Sequence, residues 1–183
     1  MKMAFFAILL VFTVSLQLAV FSQLRFFGAV PDLILALSLA LAILKNGSGV
    51  KWFVLIMAVF YDLTANLFFG LFSLNIFIVF CFIRWLSRYI LKQSGFWAIS
   101  LSLFIGVLSF EALAGIFKKI SSAIFSDYFF SNWPDFFSAL PANLICNFLL
   151  SFFVFYALKD FFPDLLRMAS KRKKRASLIL PDD

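Results

Sequence analysis

Long apolar stretches separated by short polar turns run along most of the chain. A helix needs about 20 apolar residues to cross the hydrocarbon core of a bilayer, and several stretches approach that length. Residues 45–49, Lys-Asn-Gly-Ser-Gly, are typical of a turn between two of them. The pattern predicts an all-α, polytopic membrane protein with six transmembrane helices. The predicted spans are residues 4–24, 26–44, 50–66, 71–91, 95–117 and 141–158.

Proline and glycine set the predicted ends of several helices. Pro31 suits the first turn of a helix, so the regular part of the second span is predicted to cover only residues 31–44. As one helix, residues 52–83 would be about 48 Å long, which exceeds the thickness of a bilayer core. The chain is therefore predicted to fold back near Gly70, and Pro141 is predicted to open the sixth helix.

Residues 118–138 are aromatic and apolar, but serines, aspartates and Pro134 interrupt them. A proline inside a helix removes one backbone hydrogen bond and clashes with the preceding turn. We therefore predict that this segment lies along the outer interface of the membrane instead of crossing it. Cysteines introduced at Ser126 and Ser131 should then react with an impermeant thiol reagent.

The composition agrees with lipid as the solvent for most of the chain. Hydrophobic residues make up 64% of the sequence, including 29 phenylalanines, and the mean hydropathy is +1.03. The predicted organisation is one transmembrane domain, residues 1–163, followed by a basic cytoplasmic tail, residues 164–183. The N-terminus lacks a small-x-small cleavage site, so the first apolar stretch is interpreted as a retained helix rather than a signal peptide.

Lysine and arginine residues indicate the orientation, because they concentrate in cytoplasmic loops. With both termini in the cytoplasm, thirteen of the sixteen basic residues lie inside, and only Arg25, Lys118 and Lys119 lie outside. The basic residues flank apolar stretches instead of forming one surface interleaved with aromatic residues, which argues against nucleic-acid binding. The tail run of residues 171–175 has two interpretations, namely contact with anionic lipid and docking of a cytosolic protein.

Polar groups inside the spans are the candidate functional residues, because ionisable side chains there are costly and normally face protein or water. Asp62 stands out, and we predict that Arg84 on the next helix neutralises it. Asn143 and Asn147 lie one turn apart, so they should share a face of the sixth helix. The full predicted intramembrane polar cluster is Asp62, Asn66, Asn75, Arg84, Glu111, Asn143 and Asn147. It is interpreted either as hydrogen bonding that fixes helix register or as a polar cavity for a ligand or a proton path.

Catalysis has no positive support in the sequence. There is no histidine, and Cys81 and Cys146 lie inside apolar stretches without metal-ligand spacing. No nucleophile and base occur at a catalytic spacing, and the seven glycines are too scattered for a phosphate-binding loop. The prediction is a non-enzymatic protein with no cofactor and no metal.

Two stretches resemble a known family. Residues 30–37, Val-Pro-Asp-Leu-Ile-Leu-Ala-Leu, are similar to the Pro-Asp-Leu opening of the bacterial rod shape-determining protein MreD family. Residues 61–75, Tyr-Asp-Leu-Thr-Ala-Asn-Leu-Phe-Phe-Gly-Leu-Phe-Ser-Leu-Asn, resemble that family's Asp-Leu, spacer, Gly-Leu segment. The residues that carry the resemblance are Pro31, Asp32, Asp62 and Gly70. The family often has glycines shortly before the aspartate, whereas residues 58–61 are Ala-Val-Phe-Tyr.

The resemblance implies a scaffold of the cell-elongation machinery, which makes peptidoglycan and maintains rod shape. Such a protein would lie in the bacterial inner membrane and bind a periplasmic MreC-like partner within the cell-wall elongation complex. The family's fold is similar to the substrate-binding subunits of vitamin importers, which also have six helices with short, irregular early ones. The alternative function is therefore a substrate-binding membrane subunit of a vitamin or small-molecule importer.

Overall fold

The structure is a computed structural model that describes residues 2–26, 28–44, 48–64, 70–90, 96–124 and 133–161. These residues form six α-helices and no strand, which confirms the all-α prediction. The helices are α1 (Lys2–Leu16), α2 (Leu33–Leu44), α3 (Ser48–Thr64), α4 (Leu71–Ile90), α5 (Phe96–Ile124) and α6 (Trp133–Phe161). The predicted basic tail, residues 164–183, lies outside the described residues.

Two helices are long and apolar enough to cross a membrane. They contain the 22-residue apolar segments Phe96–Phe117 in α5 and Ser138–Lys159 in α6. At 1.5 Å per residue, each segment is about 33 Å long, close to the thickness of the hydrocarbon core. The other apolar helical segments are shorter, so the six-span arrangement remains a prediction.

The predicted helix ends are right where they rest on a turn and wrong around two prolines. The fold-back is confirmed, because α3 ends at Thr64 and Gly70 adopts a positive φ of 92° just before α4. The segment predicted to lie along the interface contains the end of α5, at Ile124, and the start of α6, at Trp133. Its location at the membrane surface remains a prediction. Pro134 lies in the first turn of α6, where its missing N–H group costs nothing.

The prediction that Pro141 opens the sixth helix is also wrong, because this proline lies inside α6. A proline in a helix interior removes one backbone hydrogen bond, which the rest of a long helix can tolerate. Ser126 and Ser131, the two positions of the proposed thiol test, lie outside the described residues.

The short helix α2 is the centre of the bundle. Nine of its twelve residues are buried, and it contacts each of the other five helices. Its sequence, Leu-Ile-Leu-Ala-Leu-Ser-Leu-Ala-Leu-Ala-Ile-Leu, is apolar on every side, as expected for a fully surrounded helix. Gly106 of α5 packs directly against Leu39 of α2 and Ile83 of α4. A Cβ atom at this glycine would lie 2.6 Å from a Leu39 methyl group.

The outer helices turn large apolar side chains away from the core. Trp97 is 82% exposed, Phe153 is 71% exposed and Ile8 is 70% exposed. Soluble monomers rarely expose a contiguous apolar surface of more than a few hundred Å². Further exposed examples occur along α1, α3, α4, α5 and α6, namely Phe12, Trp52, Trp85, Leu101, Ile145 and Leu149.

Candidate functional site

The start of α2 is held by a glutamine from the end of α1. At residues 17–21 the first helix widens into a π-helical turn, which places the Gln17 side chain in the interior. The Gln17 amide nitrogen donates to the Pro31 carbonyl oxygen at 3.2 Å, and its amide oxygen accepts from the Leu33 N–H at 2.7 Å. Helix starts carry N–H groups without helical partners, so this contact satisfies one of them.

Asp32 caps the same helix start. Its Oδ1 accepts a hydrogen bond from the Leu35 N–H at 2.9 Å, the usual geometry of an N-cap. The Asp32 N–H in turn donates to Oδ1 of Asn147 in α6 at 2.8 Å. The Asn147 amide nitrogen donates to Oε1 of Glu111 in α5 at 3.3 Å. We call Gln17, Asp32, Glu111 and Asn147 the Asp32 cluster.

The Asp32 cluster joins four helices at one place inside the bundle. Gln17 is 2% exposed, Asn147 is 3% exposed and Glu111 is 6% exposed. Tyr61 of α3 borders the cluster, with the Gln17 side chain and the Asp32 carboxyl among its polar neighbours. The cluster therefore ties the start of the central helix to α1, α5 and α6 through buried hydrogen bonds.

Asp62 performs the same task for α4. Its Oδ2 accepts hydrogen bonds from the Gly70 and Ser73 N–H groups, both at 3.0 Å. The Ser73 hydroxyl donates to the Gly70 carbonyl oxygen at 3.1 Å. A carboxylate is favourable here, because the N-terminal end of a helix carries a partial positive charge. The two motif aspartates, Asp32 and Asp62, thus cap the starts of α2 and α4.

The predicted ion pair between Asp62 and Arg84 is wrong. Asp62 binds the first turn of α4, whereas Arg84 lies about 16 Å further along that helix than Ser73. The second carboxylate oxygen, Oδ1, has no hydrogen-bond partner in the described part of the chain. The prediction placed Asp62 near the middle of a span, but α3 ends only two residues later, at Thr64.

The other predicted polar residues differ in how deeply they are buried. Asn75 is buried, and its amide nitrogen donates to the Phe110 carbonyl oxygen on α5 at 3.1 Å. Asn147 faces inward as predicted, while Asn143, one turn earlier on α6, is only half-buried. Asn66 lies outside the described residues. Arg84 is buried on α4, with its guanidinium 5.9 Å from the centre of the Phe80 ring.

Sequence reasoning missed Gln17 and Ser73. Gln17 interrupts the apolar run of the first span, and this isolated polar residue was the signal that could have revealed it. Ser73 had no comparable signal, because its contact with Asp62 is made by the backbone N–H, which every residue except proline has. Asp32 was singled out only as a motif residue, yet it lies at the centre of the polar network.

The arrangement is suited to holding helix ends in register and to binding small polar species. In the described ranges, no group of three or more His, Cys, Asp or Glu side chains is placed to hold a metal ion. Separately, a cavity of about 370 Å³ opens between α4 and α5. Its lining is mainly apolar and comprises Ile78, Val79, Phe82, Ser109, Ala112 and Leu113.

Replacing Asp62 with alanine is expected to lower the free energy of unfolding by about 2 kcal/mol, because two N–H groups at the start of α4 lose their acceptor. Asp62→Asn keeps an acceptor oxygen and should cost only about 1 kcal/mol. Unfolding by SDS in mixed micelles would measure both. Thr64→Ala, at an exposed position nearby, is the control and should change stability by less than about 0.5 kcal/mol.

Adding Arg84→Gln to Asp62→Asn should recover none of the lost stability, because the Asp62 side chain of α3 binds the start of α4, whereas Arg84 lies about 16 Å further along α4 than Ser73. Recovery in the double variant would contradict the capping role of Asp62. It would support an ion pair between Asp62 and Arg84 instead.

Comparisons of the chain with models of protein families, with curated proteins and with solved structures found no match.

Proposed function

We propose that the chain is a six-span protein of the bacterial inner membrane. The apolar surface of the outer helices supports this proposal, because such a surface is more stable in contact with lipid than with water. With its π-helical extension, α1 reaches about 30 Å, and α4 has a similar length. The central helix α2 is only about 18 Å long. Irregular backbone at membrane depth is tolerated where protein buries it, and Ala29 and Pro31, just before α2, are buried.

In the proposed orientation, both termini lie in the cytoplasm. The distribution of basic residues supports it, since thirteen of sixteen fall on the cytoplasmic side. We expect alkaline phosphatase fused after Ser126 to be active and the same enzyme fused after Asp183 to be inactive. Green fluorescent protein at the same two positions should give the reverse pattern. Phosphatase activity after Asp183 would refute the orientation.

We further propose that the protein is a non-enzymatic scaffold of the cell-elongation machinery that binds a periplasmic MreC-like partner. The observation that carries this proposal is the role of the motif residues. Asp32 and Asp62 cap two helix starts, and Gly70 supplies the positive φ that precedes α4. The residues that resemble the MreD family therefore stabilise helix starts and a turn. These structural roles require no reactive chemistry.

The cavity between α4 and α5 is our candidate surface for a partner helix. Ser109 and Ala112 are small residues of its lining, and Ile78 and Phe82 are large apolar ones. Transmembrane helices associate where small residues allow their backbones to approach. A single-span partner could therefore pack its helix into this cavity.

Co-purification with a tagged, single-span MreC-like protein tests the scaffold proposal. The wild-type protein should be recovered with its partner in mild detergent. Ala112→Phe fills the cavity and should reduce recovery at least several-fold. Ala157→Phe, at an exposed alanine of α6, is the matched control and should leave recovery unchanged. Failure of the wild-type chain to bind would refute the scaffold function, and equal binding by both variants would refute this surface.

The second candidate function is a substrate-binding subunit of a vitamin or small-molecule importer. The Asp32 cluster favours it, because convergent polar groups inside an apolar bundle are typical of ligand sites. Mass spectrometry of the purified protein under native conditions would test this alternative. A vitamin-sized molecule retained by the wild-type protein and lost from Asn147→Leu would support the importer over the scaffold.

A further inference from the structure

We propose that the shared end of α5 and α6 binds the phosphate group of an anionic phospholipid, with the Lys159 ammonium group as its partner. This inference rests on the proposed membrane-spanning arrangement and deepens it, because it names the lipid group that one part of the surface contacts. It does not depend on the scaffold function.

The two long apolar segments lie side by side and almost level with each other. The Phe96 and Tyr156 rings are 6.4 Å apart. Eight residues further from that end in each helix, the Phe104 and Phe148 rings are 5.9 Å apart. The helices are therefore antiparallel, with a constant register along this stretch. In that register, the first residue of one segment, Phe96, lies only about 4.5 Å from the level of Lys159, the last residue of the other. The shared end thus marks one boundary of a hydrocarbon layer.

Exposed aromatic side chains gather at this boundary. Trp97 is 82% exposed, and Phe96, whose ring lies 5.7 Å from the Trp97 ring, is 52% exposed. Tyr156 is half-buried on the facing helix. Tryptophan and tyrosine concentrate where the hydrocarbon core meets the lipid head groups, because each combines an apolar ring with a group that forms hydrogen bonds. We therefore place Trp97 and Tyr156 at the level of the lipid glycerol groups.

Lys159 adds a positive charge slightly further from the hydrocarbon layer. Its side chain is exposed, and Nζ lies 5.4 Å from the centre of the Tyr156 ring. A cation over an aromatic ring is held in place but keeps its charge. Because the lysine stem is apolar and flexible, it can lie along the rings while the ammonium group reaches the lipid phosphates. Asp160 follows Lys159 in the sequence and weakens the attraction for anions, so the expected preference is at most that of one lysine.

The size of the side chains favours lipid over protein as the occupant. Transmembrane helices pack closely where small residues let their backbones approach. This surface instead presents Phe96 and Trp97, which are large and exposed. Acyl chains can adapt to such a surface, and the phosphate of the same lipid molecule supplies the counter-charge for Lys159. One phospholipid therefore satisfies both the apolar and the charged part of the surface.

Fluorescence quenching by brominated phospholipids tests the level of Trp97. The full-length protein with Trp52, Trp85 and Trp133 replaced by phenylalanine keeps Trp97 as its sole tryptophan. In vesicles, bromine near the glycerol end of the acyl chains should quench this residue more strongly than bromine near the chain terminus. Equal or stronger quenching by the terminal bromine would overturn the boundary position. No quenching by either lipid would mean that protein, such as a second copy, covers this face, and would overturn the lipid site.

If the triple variant does not fold, the difference in quenching between the wild-type protein and Trp97→Phe gives the same measure.

Vesicles of brominated phosphatidylglycerol and unbrominated phosphatidylcholine test the phosphate contact. At low salt, Trp97 should be quenched as if phosphatidylglycerol were preferred about fivefold at this site. Lys159→Gln in the same background should remove the preference. Lys51→Gln is the matched control and should keep it, because Lys51 is an exposed lysine of α3, which packs mainly against α4. An unchanged preference in Lys159→Gln, or no preference with Lys159 present, would overturn the contact.

These results can be separated from the fate of the proposed function. Quenching near the glycerol end combined with phosphatase activity after Asp183 would support the lipid site and refute only the orientation. Quenching near the chain terminus combined with the expected fusion pattern would overturn the lipid site alone.

Discussion

Replacing Asn147 with leucine is expected to destabilise the protein by about 3 to 5 kcal/mol, more than any other single change in the polar interior. Leucine has a similar volume, but it removes the acceptor of the Asp32 N–H and the donor to Glu111. Leaving a buried polar group unsatisfied costs about 1 to 3 kcal/mol, and more if it is charged. Two groups lose a hydrogen bond at once.

SDS unfolding of the purified variant would measure this effect. Asn143→Leu is the matched control, because Asn143 lies on the same helix one turn away and is only half-buried. It should cost less than about 1 kcal/mol. Similar losses in the two variants would mean that the network around Asp32 contributes little to stability.

The second large effect is expected at the contact between α2, α4 and α5. Gly106→Leu should cost at least about 3 kcal/mol, because the Cβ atom alone would lie 2.6 Å from a Leu39 methyl group and 3.2 Å from Ile83. Leu39 and Ile83 are fully buried, so neither has open space into which it can move. The backbone of α5 would have to shift away from α2.

Gly49→Leu provides the comparison for that substitution. Gly49 lies in the first turn of α3, where no atom would approach an added Cβ within 4 Å. Leucine there should be neutral or stabilise α3 slightly, since glycine is a poor helix former. Thermal unfolding followed by size-exclusion chromatography would rank the two. Equal melting temperatures would contradict close packing at Gly106.

Helix positions were predictable from the sequence because turns and apolar lengths are local features. Gly70 marked the fold-back, and Pro31 marked a short second helix that begins at Leu33. The same local rule failed at Pro134, because the effect of a proline depends on whether it lies in the first turn or further inside. That distinction requires knowing where the helix begins.

The partners of the polar residues were not predictable in the same way. Asp62 and Arg84 were matched by counting residues from the ends of apolar stretches, and a few residues of error in those ends changed the inferred depth by several ångströms. The bond between Asp32 and Asn147 joins positions 115 residues apart. Its formation depends on how α2 and α6 pack, and periodicity within either helix carries no information about that. The role of Gln17 was also not predictable, because its side chain is brought into the interior at a π-helical turn.

The central position of α2 has a consequence for the order of biosynthesis. Its cap reaches Asn147 across those 115 residues, so the helix that completes its surroundings leaves the ribosome after the other five helices of the described residues. At about 5 to 20 residues per second, α2 is made roughly 6 to 23 seconds before this neighbour exists. During that interval its apolar flank meets lipid or the membrane insertion machinery in place of α6. A nascent chain that stops short of α6 should therefore remain loosely assembled and be an early substrate for membrane quality-control proteases.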